Sequence, residues 1–199
     1  MSKAALPRPS PITPTYIALL RGINVGGKNS LPMSALAAMF TAAGALNVRT
    51  YIQSGNVVFA ASPALAGKIP RLIRDAITKR CGFDVPVVLR SADEWADAVK
   101  RNPFKEEDIK VDSKADGPVA LHVAFLETAP TAAQLASLDP NRSPPDRFII
   151  IGREIYLLCP NGLGKSKLTN AYFDSKLKTV STMRNWNTAL TLMRMSESL

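Results

Sequence analysis

The residues best equipped for chemistry stand in three polar runs. The first, Gly22-Ile23-Asn24-Val25-Gly26-Gly27-Lys28-Asn29, follows a strand-like stretch and precedes a helical one. Glycines let backbone N–H groups converge, and with Arg21 and Lys28 beside them such a loop can hold an anion. It does not match a nucleotide-hydrolysing phosphate loop: Asn29 stands where a hydroxyl would hold magnesium, and Pro32 opens the next helix several residues late. The second run, 161–170, sets Lys165, Lys167 and Asn170 at what reads as a helix start, an end that favours negative charge. It too fails the phosphate-loop spacing, because Cys159 occupies the place of the leading glycine. The third, 182–188, gathers Arg184, Asn185 and Asn187 around Trp186, a set suited to stacking on a base or sugar and bonding its edge. In the plainer reading, Asn185 caps a helix and Trp186 enters the core.

What is missing narrows the chemistry further. The chain has one histidine, His122, inside a strand-like run, where a packed or edge-facing imidazole is expected and a histidine-based triad is not. Two cysteines, Cys81 and Cys159, are too few and too far apart for a disulfide framework or a zinc site, so reduced, buried thiols are expected and no metal is. An enzyme built on the polar runs has Lys, Ser, Thr, Tyr51 or Tyr172 as proton carriers, and general acid–base chemistry at neutral pH then needs a strongly shifted lysine or tyrosine.

The net charge of +9 is unevenly spread. Eight Lys or Arg precede the first acidic residue, Asp75, and from Asn161 onward six basic residues face only Asp174 and Glu197. Residues 101–160 are close to neutral, with seven basic and nine acidic side chains. If the two cationic regions meet, they make a surface that attracts phosphates, nucleic acid or acidic partners; the plainer reading is solubility.

These runs need elements to position them. Tyr16–Leu20 reads as a strand; Leu36, Met39 and Phe40 fall at helical spacing behind Pro32, and Gly44 ends that helix. Val48–Gln53 and Asn56–Ala61 are strands joined at Ser54-Gly55, which sets Gln53 and Asn56 at a hairpin. Leu65, Ile69, Leu72, Ile73 and Ile77 form one helical stripe, with Pro70 either kinking it or marking its start, and Val85–Leu89 is the next strand. A short helix over 91–101 and a charged connector, Lys105–Asp116, follow. The order then repeats: strand Val119–Leu126, helix Thr131–Leu138, strands Phe148–Ile151 and Ile155–Leu158, helix Lys165–Phe173, strand Lys178–Thr182 and helix Asn185–Met195. The expected fold is α+β: two ferredoxin-like (βαββαβ) subdomains with an extra C-terminal helix. The expected division is a Pro-rich tail at 1–14, subdomains at 15–101 and 118–199, and a connector at 102–117. No apolar run reaches the roughly 18 residues of a membrane helix, and the first fourteen residues lack a signal-peptide core, so a cytoplasmic protein away from membranes is expected.

The runs 19–28, 50–59, Asn102-Pro103-Phe104, 162–170 and 184–188 resemble the hallmark stretches of the domain of unknown function 1697 (DUF1697) family, in the same order, from about Tyr16 to Met195. The resemblance implies two ferredoxin-like subdomains and a bacterial-type cytoplasmic protein, and it brings no catalytic residues. The functional expectation therefore rests on the side chains: a phosphate-bearing ligand, nucleotide or nucleic acid, bound in a basic cleft between subdomains by Arg21, Asn24, Lys28, Gln53, Asn56, Lys165, Lys167, Asn170, Arg184, Asn185 and Asn187, with no cofactor. An enzyme acting on a phosphorylated small molecule and a protein-interaction or homodimer module are the alternatives, and the residues do not decide among them.

Overall fold

The first alternating apolar run becomes a strand, β1 (Thr15–Leu20), at the centre of a sheet in a computed structural model that describes residues 13–104 and 121–199. The tail before residue 13, the charged connector and the first two residues of the strand expected at 119 lie outside the described residues. The first half continues α1 (Met33–Ala42), β2 (Leu46–Tyr51), β3 (Asn56–Ala60), α2 (Pro63–Ala66), α3 (Ile69–Cys81), β4 (Val87–Ser91) and α4 (Ala92–Lys100). The second runs β5 (Leu121–Leu126), α5 (Ala132–Ala136), β6 (Arg147–Ile151), β7 (Glu154–Leu158), α6 (Asn170–Leu177), β8 (Ser181–Asn185) and α7 (Trp186–Glu197). Each half forms an antiparallel four-stranded sheet, in the orders β2-β3-β1-β4 and β6-β7-β5-β8, the ferredoxin-like arrangement expected twice over. The extra helix α7 is present, and α4 is its counterpart in the first half.

Several boundaries differ from expectation for local reasons. The apolar stripe from Leu65 is two helices: Ser62 caps α2, the chain turns at Gly67-Lys68, and Pro70 sits in the first turn of α3, where its missing N–H has no helical partner to lose. Lys165 lies in a short 3₁₀ turn, Leu163–Lys165, while α6 begins at Asn170 because the Thr169 hydroxyl accepts from the Tyr172 amide. Lys178 adopts a left-handed conformation, φ 51°, at the end of α6, so the last strand starts at Ser181 instead of Lys178.

Each sheet has one face under its own helices and the other turned toward its twin. Between the sheets lies a shared core: Ile17, Leu19, Val58 and Val88 from one, Val123, Phe125, Tyr156 and Leu158 from the other. The helices α4 and α7 contribute Trp95, Ala98, Ala189 and Leu192 to it. The Trp95 ring stacks on Phe125 with centroids 4.2 Å apart, and its Nε1 donates to the Ala189 carbonyl at 3.0 Å. The Tyr156 hydroxyl donates to the Ala98 carbonyl at 2.6 Å, and burial, with the Glu154 charge adding, pushes its pKa up to about 12. The halves are therefore joined by apolar packing. Among the described residues no helix is long and apolar enough to cross a membrane.

Candidate functional site

Four of the eleven polar residues singled out from the sequence, Arg21, Asn56, Asn170 and Arg184, meet where the second half grips the first. Arg184, on β8, reaches across: its Nε donates to Asn56 Oδ1 at 2.5 Å, and its Nη2 donates to the carbonyls of Leu20 at 2.8 Å and Ser54 at 3.0 Å. Its Nη1 donates to the Met183 carbonyl of its own strand. The residue keeps some exposed surface, yet the guanidinium is enclosed, and burial without a carboxylate partner lowers its pKa to about 10. Asn56 is fully buried, and its amide is fixed by donating to the Tyr51 carbonyl and Ser54 Oγ, which aims its oxygen at Arg184. Gly55 makes this approach possible: its φ is +76°, and an added Cβ would lie 2.8 Å from Leu20 Cβ.

A second crossing runs beside it. Arg21 pairs with Asp174 of α6 and donates to the Ser181 carbonyl at 3.1 Å. Asp174 Oδ1 accepts from the Ser181 amide at 2.8 Å, and the Ser181 hydroxyl lies 2.6 Å from the same oxygen and 3.0 Å from Asn170 Oδ1. Within the first half, Asn24 accepts from the Leu31 amide and donates to the Leu31 and Gln53 carbonyls, lacing the 22–29 loop to the β2–β3 hairpin. Asn185 caps α7 by accepting from the Thr188 amide, and Trp186 packs against the shared core. Lys28, Lys165, Lys167, Gln53 and Asn187 are exposed, and the three lysines form no ion pair among the described residues.

The first half grips the second in the same way, through residues the sequence reading did not select. Arg90, on β4, donates to Glu154 Oε1 at 3.0 Å and to the Leu126 and Arg153 carbonyls, while its Nη1 bonds the Leu89 carbonyl. Arg90 pairs in register with Ile17 and Arg184 with Val123; Asn56 and Glu154 each open the third strand of their sheet, opposite Leu19 and Phe125. The two arginines thus occupy matching positions and make reciprocal contacts, as in an isologous dimer. Their acceptors differ: Arg90 meets a carboxylate that is 4% exposed, and Arg184 meets an amide. A signal for the pair was present in the sequence, since each arginine stands just before a helix-capping residue, Ser91 or Asn185.

Two clefts flank these crossings. One, about 240 Å³, is lined by Leu163, Leu168, Thr169, Asn170 and Met183, all from the second half. Lys165 and Lys167 stand exposed on the segment leading into it, and the Asn170 and Ala171 amides at the start of α6 have no hydrogen-bond partner among the described residues. The other lies between the halves as two adjoining cavities of about 270 and 370 Å³ that share Pro70, Val87 and Glu127. Of the thiols, Cys159 is buried, and burial, with the Asp146 charge adding, pushes its pKa up to about 11; Cys81 is half-buried. No group of acidic, histidine or cysteine side chains among the described residues is arranged to hold a metal.

A family model described as a protein of unknown function, DUF1697, matches residues 13–156. The solved structure of the conserved bacterial protein SP0830 from Streptococcus pneumoniae superposes with a TM-score of 0.59 at 21% identity, over 92% of this chain and 99% of that one. That likeness is one of fold. No curated protein matches the chain.

Proposed function

The chain belongs to the DUF1697 family of proteins of unknown function, and we propose that it binds a phosphate-bearing ligand, a nucleotide or the backbone of a nucleic acid, at the start of α6. The observation that carries this reading is the cleft beside Thr169 and Asn170, where two amides and two lysines with no partner among the described residues flank an apolar floor. Amides at a helix N-terminus point positive charge outward, and the neighbouring lysines add to that field. Leu163, Leu168 and Met183 offer a surface for an apolar or planar group, so the cleft suits a ligand with a flat end and an anionic end. Lys28 adds charge from the loop that departs at Arg21, which is itself anchored to α6 through Asp174. Arg21, Asn24, Asn56, Arg184 and Asn185 serve this reading from behind, by holding the loops in place. Free thiols agree with a reducing, cytoplasmic setting.

The test is a titration with a fluorescent ADP analogue, a short single-stranded DNA or RNA, and inorganic phosphate, each at two salt concentrations. Binding is expected to weaken steeply with salt for the nucleic acids and less for the nucleotide. Replacing both Lys165 and Lys167 with Met should weaken either by roughly tenfold. No binding by any of the probes at the lower salt discards the reading.

A further inference from the structure

The groove between the halves runs along the open edge of β4, and the second half shows what that edge accepts. The Arg21 amide donates to the Pro86 carbonyl at 3.1 Å, which sets the phase of the β1–β4 ladder: Val87, Leu89 and Ser91 direct their backbone groups away from β1. Two of these groups are met by side chains. The Leu89 carbonyl accepts from Arg90 Nη1, and the Ser91 amide donates to Glu94 Oε2. The Val87 amide and carbonyl and the Leu89 amide have no partner among the described residues, and Val87 and Leu89 line the groove.

The matching edge in the second half is β8, where the Glu127 amide bonds the Val180 carbonyl and sets the same phase. There the residue corresponding to Val87 is Ser181, and both of its outward groups are taken: the amide donates to Asp174 and the carbonyl accepts from Arg21. An acceptor and a donor side by side are what an added peptide strand presents. Internal side chains supply them at β8; at β4 the same pair of backbone groups faces a cleft.

The lining narrows the occupant. Of the charged groups around the groove, Arg74 is held by Asp84, and Arg153 is paired with Glu94. Arg71 and Glu127 line the groove exposed, and neither has an ion pair among the described residues, so the unmatched charges are of opposite sign. The walls contributed by Tyr16, Pro70, Leu89 and Val180 are apolar, which suits an apolar strand.

We propose that the β4 groove binds an extended apolar peptide by strand addition. A peptide carbonyl accepts from the Val87 amide, a peptide amide donates to the Val87 carbonyl, and apolar side chains cover Tyr16 and Leu89.

The experiment is fluorescence anisotropy with a labelled, end-blocked pentapeptide that has a central threonine flanked by valines and then threonines, added to the full chain. Saturable binding is expected, and the same peptide N-methylated at alternate amides should bind about tenfold more weakly, since methylation removes the peptide N–H that donates to the Val87 carbonyl. Val87→Pro deletes the outward amide without touching the β1 ladder and should weaken the parent peptide to a similar degree, with a thermal melt confirming that the variant folds. Equal binding of the parent and N-methylated peptides to the unaltered chain overturns strand addition, and so does the absence of saturable binding up to about 1 mM.

Discussion

Arg90 and Arg184 occupy matching places in their sheets, and what meets them differs in charge. Arg90 is 1% exposed and faces Glu154, whose other neighbour, Arg101, is half-exposed at 3.4 Å. Arg90→Met leaves that carboxylate buried with a weak partner, and the expected loss is about 3 to 5 kcal/mol. Arg184→Met leaves neutral acceptors, the Leu20 and Ser54 carbonyls and Asn56 Oδ1, and it also removes the desolvation of a guanidinium that has no counterion among the described residues. Its expected loss is smaller, about 1 to 3 kcal/mol. Urea melts of the two variants rank them, and a larger loss for Arg184→Met contradicts the assignment of charge to one crossing and not the other.

The β2–β3 hairpin bears the second contact, and its turn shows how little freedom that contact allows. The Gly55 carbonyl accepts from the Leu20 amide at 2.8 Å, so the turn is pressed onto the end of β1. Gly55→Ala combines a left-handed backbone with a methyl 2.8 Å from Leu20 Cβ, and the expected loss is about 2 to 5 kcal/mol. Gly26→Ala, at φ +59° with open space around it, should lose only about 1 to 2 kcal/mol. Thermal melts distinguish the two, and equal losses show that the turn has room. The hairpin and both βαββαβ orders were legible in the sequence, because buried runs such as Val57–Ala60 and Val123–Leu126 are bounded by glycines and prolines. Its turn is longer than the expected Ser54-Gly55: β2 ends at Tyr51, and Ile52, at φ 47°, opens a turn over residues 52–55. The end of α6 was not, since Lys178 takes the left-handed position that glycine usually marks. In the site, the exposed Lys28, Lys165 and Lys167 were legible as surface charge. Arg184 and Asn56 were legible only as polar residues: their pairing spans 128 positions, and local pattern does not record which carbonyl a distant guanidinium will face.

At the scale of the molecule, the two sheets turn their apolar faces toward one core and exchange arginines at its margins, so neither half is finished without the other. Without its twin, the first half would expose Ile17, Leu19, Val58, Val88 and Trp95 together, all fully buried or nearly so in the whole chain. Apolar area of that kind is the main stabilising contribution, and losing its cover couples the stability of both halves. The full chain should therefore unfold in one transition, with far-ultraviolet circular dichroism and tryptophan fluorescence giving coincident midpoints. Trp95→Ala tests the coupling directly, because Trp95 belongs to the first half by sequence yet stacks on Phe125 and donates to Ala189 of the second. A cavity of that size costs about 3 to 5 kcal/mol. A shared core spreads that loss over every element, so the single transition shifts intact to lower denaturant. A curve that splits into two steps, one unmoved by the substitution, would mean that the sheets fold as separate units and that the core between them is only an interface.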